Sequence, residues 1–245
     1  MRYVCKTFSL AKDPSHPDEY EDAFDADPAR GVAAIADGVS SSIFSGKWAR
    51  ILTRACLDEC PPIESSAFFE WMALRRQSWE TAIDPSQLTW HQKPKVGGGA
   101  FATLLWVEID DCALAGGKSL RYRAFAMGDC LLMHVRQGAL LGTFPLADSA
   151  EFLRDPMAVG SKDLGRDGQF RFLATKQHCQ AGDLLILCTD ALGAWAVSLI
   201  ESGQAVDWIS WWARDADDWR TLVVHERAAG RMRYDDTTVG ILRIN

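Results

Sequence analysis

Two hydrophobic periods alternate along this chain, and the switches between them divide it into blocks. Residues 1–9 read as a first strand, followed by a polar, proline-broken loop at 11–20. The run Val32-Ala33-Ala34-Ile35-Ala36 is apolar at every position and ends abruptly at Asp37-Gly38. An unbroken run of that length marks a buried strand, and Asp-Gly stops it. The period then changes. Residues 44–60 place Trp48, Ile51, Leu52, Ala55 and Cys56 on one helical stripe that Pro61-Pro62 terminates, and 65–83 repeats the stripe with Phe68, Phe69, Met72, Leu74, Trp79 and Ile83.

A β-branched and aromatic bias returns at 100–109. Further strands are predicted at 120–127 and 131–135, around Gly128-Asp129, and at 170–174 and 184–188. Residues 85–95 and the polar, glycine-interrupted stretch 154–168 are predicted as loops, the latter a surface excursion, with a short helix at 147–153. Helical spacing resumes at 190–200, 205–213 and 217–229, where Trp208, Trp211, Trp212 and Trp219 are assigned to a core. Residues 234–244 supply a final strand. This order of strands, helices, strands, helices and strand predicts an α+β sandwich rather than alternating βαβ units.

Composition narrows the function classes. A length of 245 residues accommodates one large domain, and residues 1–245 are expected to form one. A net charge of −7 and a pI near 5.2 argue against a nucleic-acid partner, which needs a basic face. No basic-then-apolar leader and no apolar run long enough to span a bilayer is present, so a cytoplasmic protein without membrane contact is expected. The seven cysteines lack zinc-finger spacing and are expected to be reduced thiols. Gly97-Gly98-Gly99 leads into a strand and lacks a following Lys-Ser/Thr, which excludes a P-loop.

The candidate chemistry lies in acids that abut apolar runs: Asp22, Asp37, Asp129, Asp190 and Asp235. Each has a plainer reading in isolation. Glu21-Asp22 reads also as a solvated acidic loop, Asp37-Gly38 and Gly128-Asp129 as turns, and Asp190 as a helix cap. Gathering so many buried carboxylates is prohibitive unless cations neutralise them, and an all-oxygen set selects Mg²⁺ or Mn²⁺ over zinc. Two such ions about 4 Å apart hold a bridging water in line with a phosphate ester. No Ser-His or Cys-His arrangement offers a rival nucleophile.

Taken in order, Glu21-Asp22-Ala23-Phe24, Ala36-Asp37-Gly38-Val39, Gly98-Gly99-Ala100, Met127-Gly128-Asp129, Cys188-Thr189-Asp190-Ala191-Leu192 and Asp235-Asp236-Thr237-Thr238 resemble the protein phosphatase 2C family of metal-dependent serine/threonine phosphatases. The stretches 44–50 and 129–146 are similar to its bacterial branch. The resemblance implies a central antiparallel β-sandwich flanked by helices on both sides, with the metals at one end. Catalysis would rest on Asp37, Asp190 and Asp235. Asp37 would bridge both ions, Asp22 and the Gly38 carbonyl, with Glu21 beside them, would serve one side, and Asp190 with Asp235 the other. Asp129, with Asp190, would hold a third, weaker ion. Glu21 and Asp236 would support the ligands, Asp236 standing where the family often has Asn.

Two departures follow from the same resemblance. The family places an Arg shortly before the acidic pair to hold the substrate phosphate; this chain offers only Lys12 or His16. Val39 stands where the eukaryotic branch has His. The implied function is hydrolysis of phosphoserine or phosphothreonine on a protein partner, opposing a serine/threonine kinase. The alternative is a catalytically weak relative that binds a phosphoprotein or regulates a partner.

Overall fold

A computed structural model describes residues 1–16, 19–114, 117–164 and 172–245. The chain runs β1 (Tyr3–Leu10), β2 (Ala23–Asp27), β3 (Val32–Ala36), α1 (Ser45–Asp58), α2 (Ser65–Thr81), α3 (Lys93–Val96), β4 (Phe101–Ala102), β5 (Leu104–Leu114), β6 (Gly117–Met127), β7 (Leu131–Arg136) and β8 (Ala139–Phe144). It continues through β9 (Val159–Gly160), β10 (Leu173–Cys179), β11 (Leu184–Cys188), α4 (Asp190–Glu201), α5 (Trp208–Ala213), α6 (Ala216–Ala228) and β12 (Thr237–Ile244). Two five-stranded antiparallel sheets result, ordered β1-β12-β11-β7-β8 and β10-β6-β5-β3-β2, with a separate ribbon of β4 and β9.

Three apolar clusters stack these elements into four layers. Between the sheets, Ala33, Ile35, Leu105 and Val107 meet Leu185, Leu187 and Leu242. On the outer face of the β3 sheet, Ala34, Leu104 and Trp106 pack under Trp48, Leu52, Phe68 and Met72 of α1 and α2. On the outer face of the β12 sheet, Met133, Ile186 and Ile241 pack under Leu192, Trp195, Trp211 and Trp219 of α4, α5 and α6. Alternate residues of β3 therefore enter different cores, which is why its sequence is apolar without interruption. Burying each such leucine stabilises the fold by roughly 2 kcal/mol.

The expected sandwich is present, with local corrections. The strand expected over 100–109 breaks at Thr103, where β4 leaves the sheet to pair with β9. Part of the expected surface excursion is interior: Val159, Gly160 and Ser161 are buried, while 165–168 lie outside the described residues. The strand expected over 170–174 begins at Leu173, its first residues again lying outside the described set. The expected loop at 85–95 contains a 3₁₀ turn, Pro85–Gln87, capped by Asp84, and the start of α3. The helix expected from 205 starts at Trp208, where Asp207 accepts a cap bond from the Ser210 N–H. Strand β8 had no expectation. It is an edge strand with mostly solvated positions, so no two-residue alternation shows in its sequence.

One end of the β12 sheet is closed by its own ion pairs. Asp183, just before β11, is buried and takes two bonds from Arg136, at 2.9 and 2.8 Å, and one contact from His134 Nε2 at 2.9 Å. Register places Leu184 opposite Val135 and Cys188 opposite Leu131, so the opposite end of β11 carries Thr189 and Asp190.

Candidate metal centre

Strand β3 delivers Asp37 to that second end. The Asp37 N–H donates to Thr103 Oγ1 at 3.1 Å, the Thr103 N–H donates to the Asp37 carbonyl at 2.8 Å, and the Val39 N–H donates to the Phe101 carbonyl at 2.9 Å. The turn is thus held by the break between β4 and β5. Gly38 is required at this place: a Cβ there would lie 2.8 Å from both the Glu21 carbonyl and Ser45 Cβ. At the β6–β7 corner Gly128 has φ +102°, and a Cβ would meet Thr103 Cγ2 at 2.5 Å, so the turn before Asp129 is also restricted to glycine.

The other acids gather around Asp37. Ala23 pairs with Ala36, so Asp22 sits beside Asp37 at adjacent strand ends. Asp22 is buried; its Oδ2 accepts from Thr189 Oγ1 at 3.0 Å and Thr238 Oγ1 at 2.8 Å, and its Oδ1 has no partner among the described residues. Asp190 opens α4, Asp129 precedes β7, and Asp235 precedes β12. Burial, reinforced by repulsion from Asp22, Asp190, Asp129 and Asp235, pushes the Asp37 carboxyl well above the usual carboxylate range. Burial likewise raises Asp22, and together with repulsion from Asp190 it pushes Asp129 up to about 7. Asp190 is raised by burial against the opposing effect of Arg233, whose Nη2 donates to Asp190 Oδ2 at 2.7 Å.

This donor set fits hard divalent cations. All five groups offer oxygen ligands, Asp22 Oδ1 and Asp190 Oδ1 are buried without partners among the described residues, and the mutual repulsion is of the sign that cations remove. As placed among the described residues, no group of three or more His, Cys, Asp or Glu side chains is close enough to hold a metal ion.

Beside the carboxylates opens a cleft of about 510 Å³ lined by Lys12, Glu21, Ser40, Ser45, Lys47 and Arg50, among others. Glu21 faces this cleft. Its Oε2 meets Lys12 Nζ at 2.5 Å and accepts from Ser40 Oγ, and its Oε1 accepts from Ser45 Oγ at 2.6 Å. Lys12 Nζ also lies 3.8 Å from Asp235 Oδ1, at the rim between cleft and carboxylates. Asp236 ties the backbone together: its two oxygens accept from the Lys12 and Glu21 N–H groups, each at 2.7 Å.

No family model matches the chain, and no curated protein matches its sequence. Solved structures do match. The serine/threonine phosphatase PstP/Ppp of Mycobacterium tuberculosis is similar over 100% of both chains, at 16% identity and a TM-score of 0.60. The photosystem II phosphatase PBCP is similar over 99% of both chains, at 16% identity and a TM-score of 0.61. The fold is that of the PPM-type Ser/Thr phosphatases. A third PPM-fold structure, the catalytic domain of PstP in complex with 2 manganese ions, is similar over 99% of this chain and 97% of that one, at 17% identity and a TM-score of 0.56.

Within this PPM fold, Asp22, Asp37, Asp129, Asp190 and Asp235 lie together with the Asp37-Gly38 turn. Glu21 does not join Asp22; Lys12 and the serines draw it into the cleft. His16 is turned to Asp13 Oδ2 at 2.8 Å and to Ser15, is exposed, and does not line the cleft that contains Lys12. Sequence reasoning missed Thr103, Arg50 and Arg233, and read Thr189 and Thr238 only as motif positions. The one local signal for Arg233 is its place two residues before Asp235.

Proposed function

We propose that this protein is a metal-dependent phosphatase hydrolysing phosphoserine or phosphothreonine on a protein partner, in opposition to a serine/threonine kinase. The observation that carries this reading is the convergence of four further carboxylates on Asp37 at one end of a PPM fold. Asp37 would be shared between two Mg²⁺ or Mn²⁺ ions, with Asp22 and the Gly38 carbonyl on one side and Asp190 and Asp235 on the other. The two manganese ions in the PstP structure support that number. Bound there, such ions supply an activated water and offset the charge of a phosphate ester.

The remaining roles belong to the chain itself. Thr189 and Thr238 fix the rotamer of Asp22, and Asp236 fixes the segment that carries Lys12 and Glu21. Lys12 presents an ammonium at the rim where a phosphate would enter, and Lys47 and Arg50 extend the positive lining along the cleft for the rest of a peptide. No described helix is long and apolar enough to cross a membrane, and all seven cysteines are free, which supports a reducing, cytoplasmic setting.

A second reading, a weak or inactive phosphoprotein-binding relative, is favoured by one contact: Lys12 is already neutralised by Glu21. Hydrolysis of p-nitrophenyl phosphate and of a phosphothreonine peptide, each with Mn²⁺ and with excess chelator, separates the two. Mn²⁺-dependent turnover of both supports the phosphatase. Peptide binding without turnover supports the alternative, and full turnover in chelator overturns the metal mechanism.

A further inference from the structure

We propose that the Arg233 guanidinium stands in for a third cation between Asp129 and Asp190, so that the centre of this protein is complete with two metals. The inference rests on the metal-dependent reading above. Its first ground is how the oxygens of Asp190 are divided: Oδ2 accepts from Arg233 Nη2 at 2.7 Å, while Oδ1 is buried without a partner among the described residues. One oxygen is therefore taken by a cation belonging to the chain, and on the metal-dependent reading the other would face the ions shared with Asp37.

The second ground is Asp129. Cys188 lies opposite Leu131 in the β7–β11 pair, so Asp129 and Asp190 flank the same end of these two strands, and the Arg233 guanidinium bonded to Asp190 opposes the repulsion that Asp190 and Asp235 exert on Asp129. Arg233 thus acts on both carboxylates to which a third ion was assigned. A guanidinium suits that place: it is always charged, is weakly hydrated, and meets carboxylates as a planar fork.

Charge balance gives the third ground. With Asp236 beside Asp22, the carboxylates at this end carry more negative charge than two dications offset, and Arg233 is a guanidinium of the chain bonded directly to one of them. The neighbouring Lys12 does not serve, because its charge is matched by Glu21 at 2.5 Å. The position of Arg233 is also secured from outside the centre. Arg227 on α6 donates to the Asp235 carbonyl, to Thr237 Oγ1 at 2.7 Å and to the Ala11 carbonyl at 3.1 Å, and so holds the segment that delivers both Asp235 and Arg233.

The test counts bound Mn²⁺ by calorimetry and by electron paramagnetic resonance of the free ion, using the full chain. The parent should bind two ions, with no third up to millimolar Mn²⁺. Arg233→Gln and Arg233→Ala should each gain a third, weaker site, which Asp129→Asn added to either variant should remove; Arg233→Lys should remain at two. Using both a neutral isostere and a truncation keeps the count readable if one of them folds poorly. A parent that binds three ions, or Arg233 variants that stay at two, overturns the inference and leaves the phosphatase reading standing. A parent that binds no Mn²⁺ overturns both.

Discussion

Thr238 Oγ1 donates to Asp22 Oδ2 at 2.8 Å, joining the start of β12 to the acid that precedes β2 of the opposite sheet. With Thr189 Oγ1 on the same oxygen, it leaves Oδ1 as the free ligand atom. Replacing Thr238 with valine keeps the shape and removes the donor. Mn²⁺ affinity should fall about 10- to 100-fold, the usual effect of losing a partner of a metal ligand. Calorimetry checks this, and an unchanged affinity would show that Asp22 needs no such support.

Asp37 is the carboxylate on which the other four act. Asp37→Asn should abolish Mn²⁺-dependent hydrolysis and metal-induced thermal stabilisation while keeping a cooperative melt. Because a neutral amide relieves repulsion, the metal-free variant should melt at or above the temperature of the metal-free parent. Substantial residual activity would remove Asp37 from the centre of the site.

Stability without metal should depend on pH in a defined direction. Asp129 is raised to about 7, and Asp22 and Asp37 are raised as well, from an ordinary value of about 3.9. The folded state therefore holds its protons more tightly than the unfolded chain. The resulting stability is complete below about pH 4 and is lost as pH rises through about 7 for Asp129 and through the raised values of the other two. Melting in chelator at pH 5.5, 6.5 and 7.5 should give falling midpoints. Saturating Mn²⁺ should flatten or reverse the trend, because the ions bind the ionised form.

Lys12 and Arg50 should separate by substrate. Lys12→Ala should raise KM for p-nitrophenyl phosphate roughly 3- to 10-fold, an effect of ~1 kcal/mol, with kcat little changed. Arg50→Ala should leave that small substrate unaffected and raise KM only for phosphopeptides, since it lines the cleft on an exposed face of α1. Equal effects on both substrates would place Arg50 at the phosphate itself.

Much of this arrangement was legible in the sequence because burial leaves unbroken apolar runs. Strands β3 and β11 are buried throughout, so their ends, and with them Asp37 and Asp190, could be read directly. Strands β8 and β10 are largely solvated edges, and their boundaries carried little signal. The partners of the acids were hidden for a different reason. Thr189 lies 167 residues from Asp22, and Arg233 lies 43 residues from Asp190, so only the fold brings them together. Glu21 was read as a companion of Asp22 because adjacent acids look alike in sequence; alternation along the chain sends neighbouring side chains to opposite sides, and Lys12 takes Glu21.

The two ends of strand β11 finish folding by different means. At Asp183 the chain supplies its own counter-ion, Arg136, with His134 in contact beside it, and nothing further is required. At Asp190 the acids outnumber the cations within reach, and on the proposed metal-dependent reading the last neutralising charges would come from the surrounding solution. The supply of divalent ions would then be part of the architecture, and this end would loosen before the Asp183 end when it falls. A cell that lets Mn²⁺ or Mg²⁺ run low would disarm such a protein without unfolding it, and restoring the ions would rearm it without new synthesis.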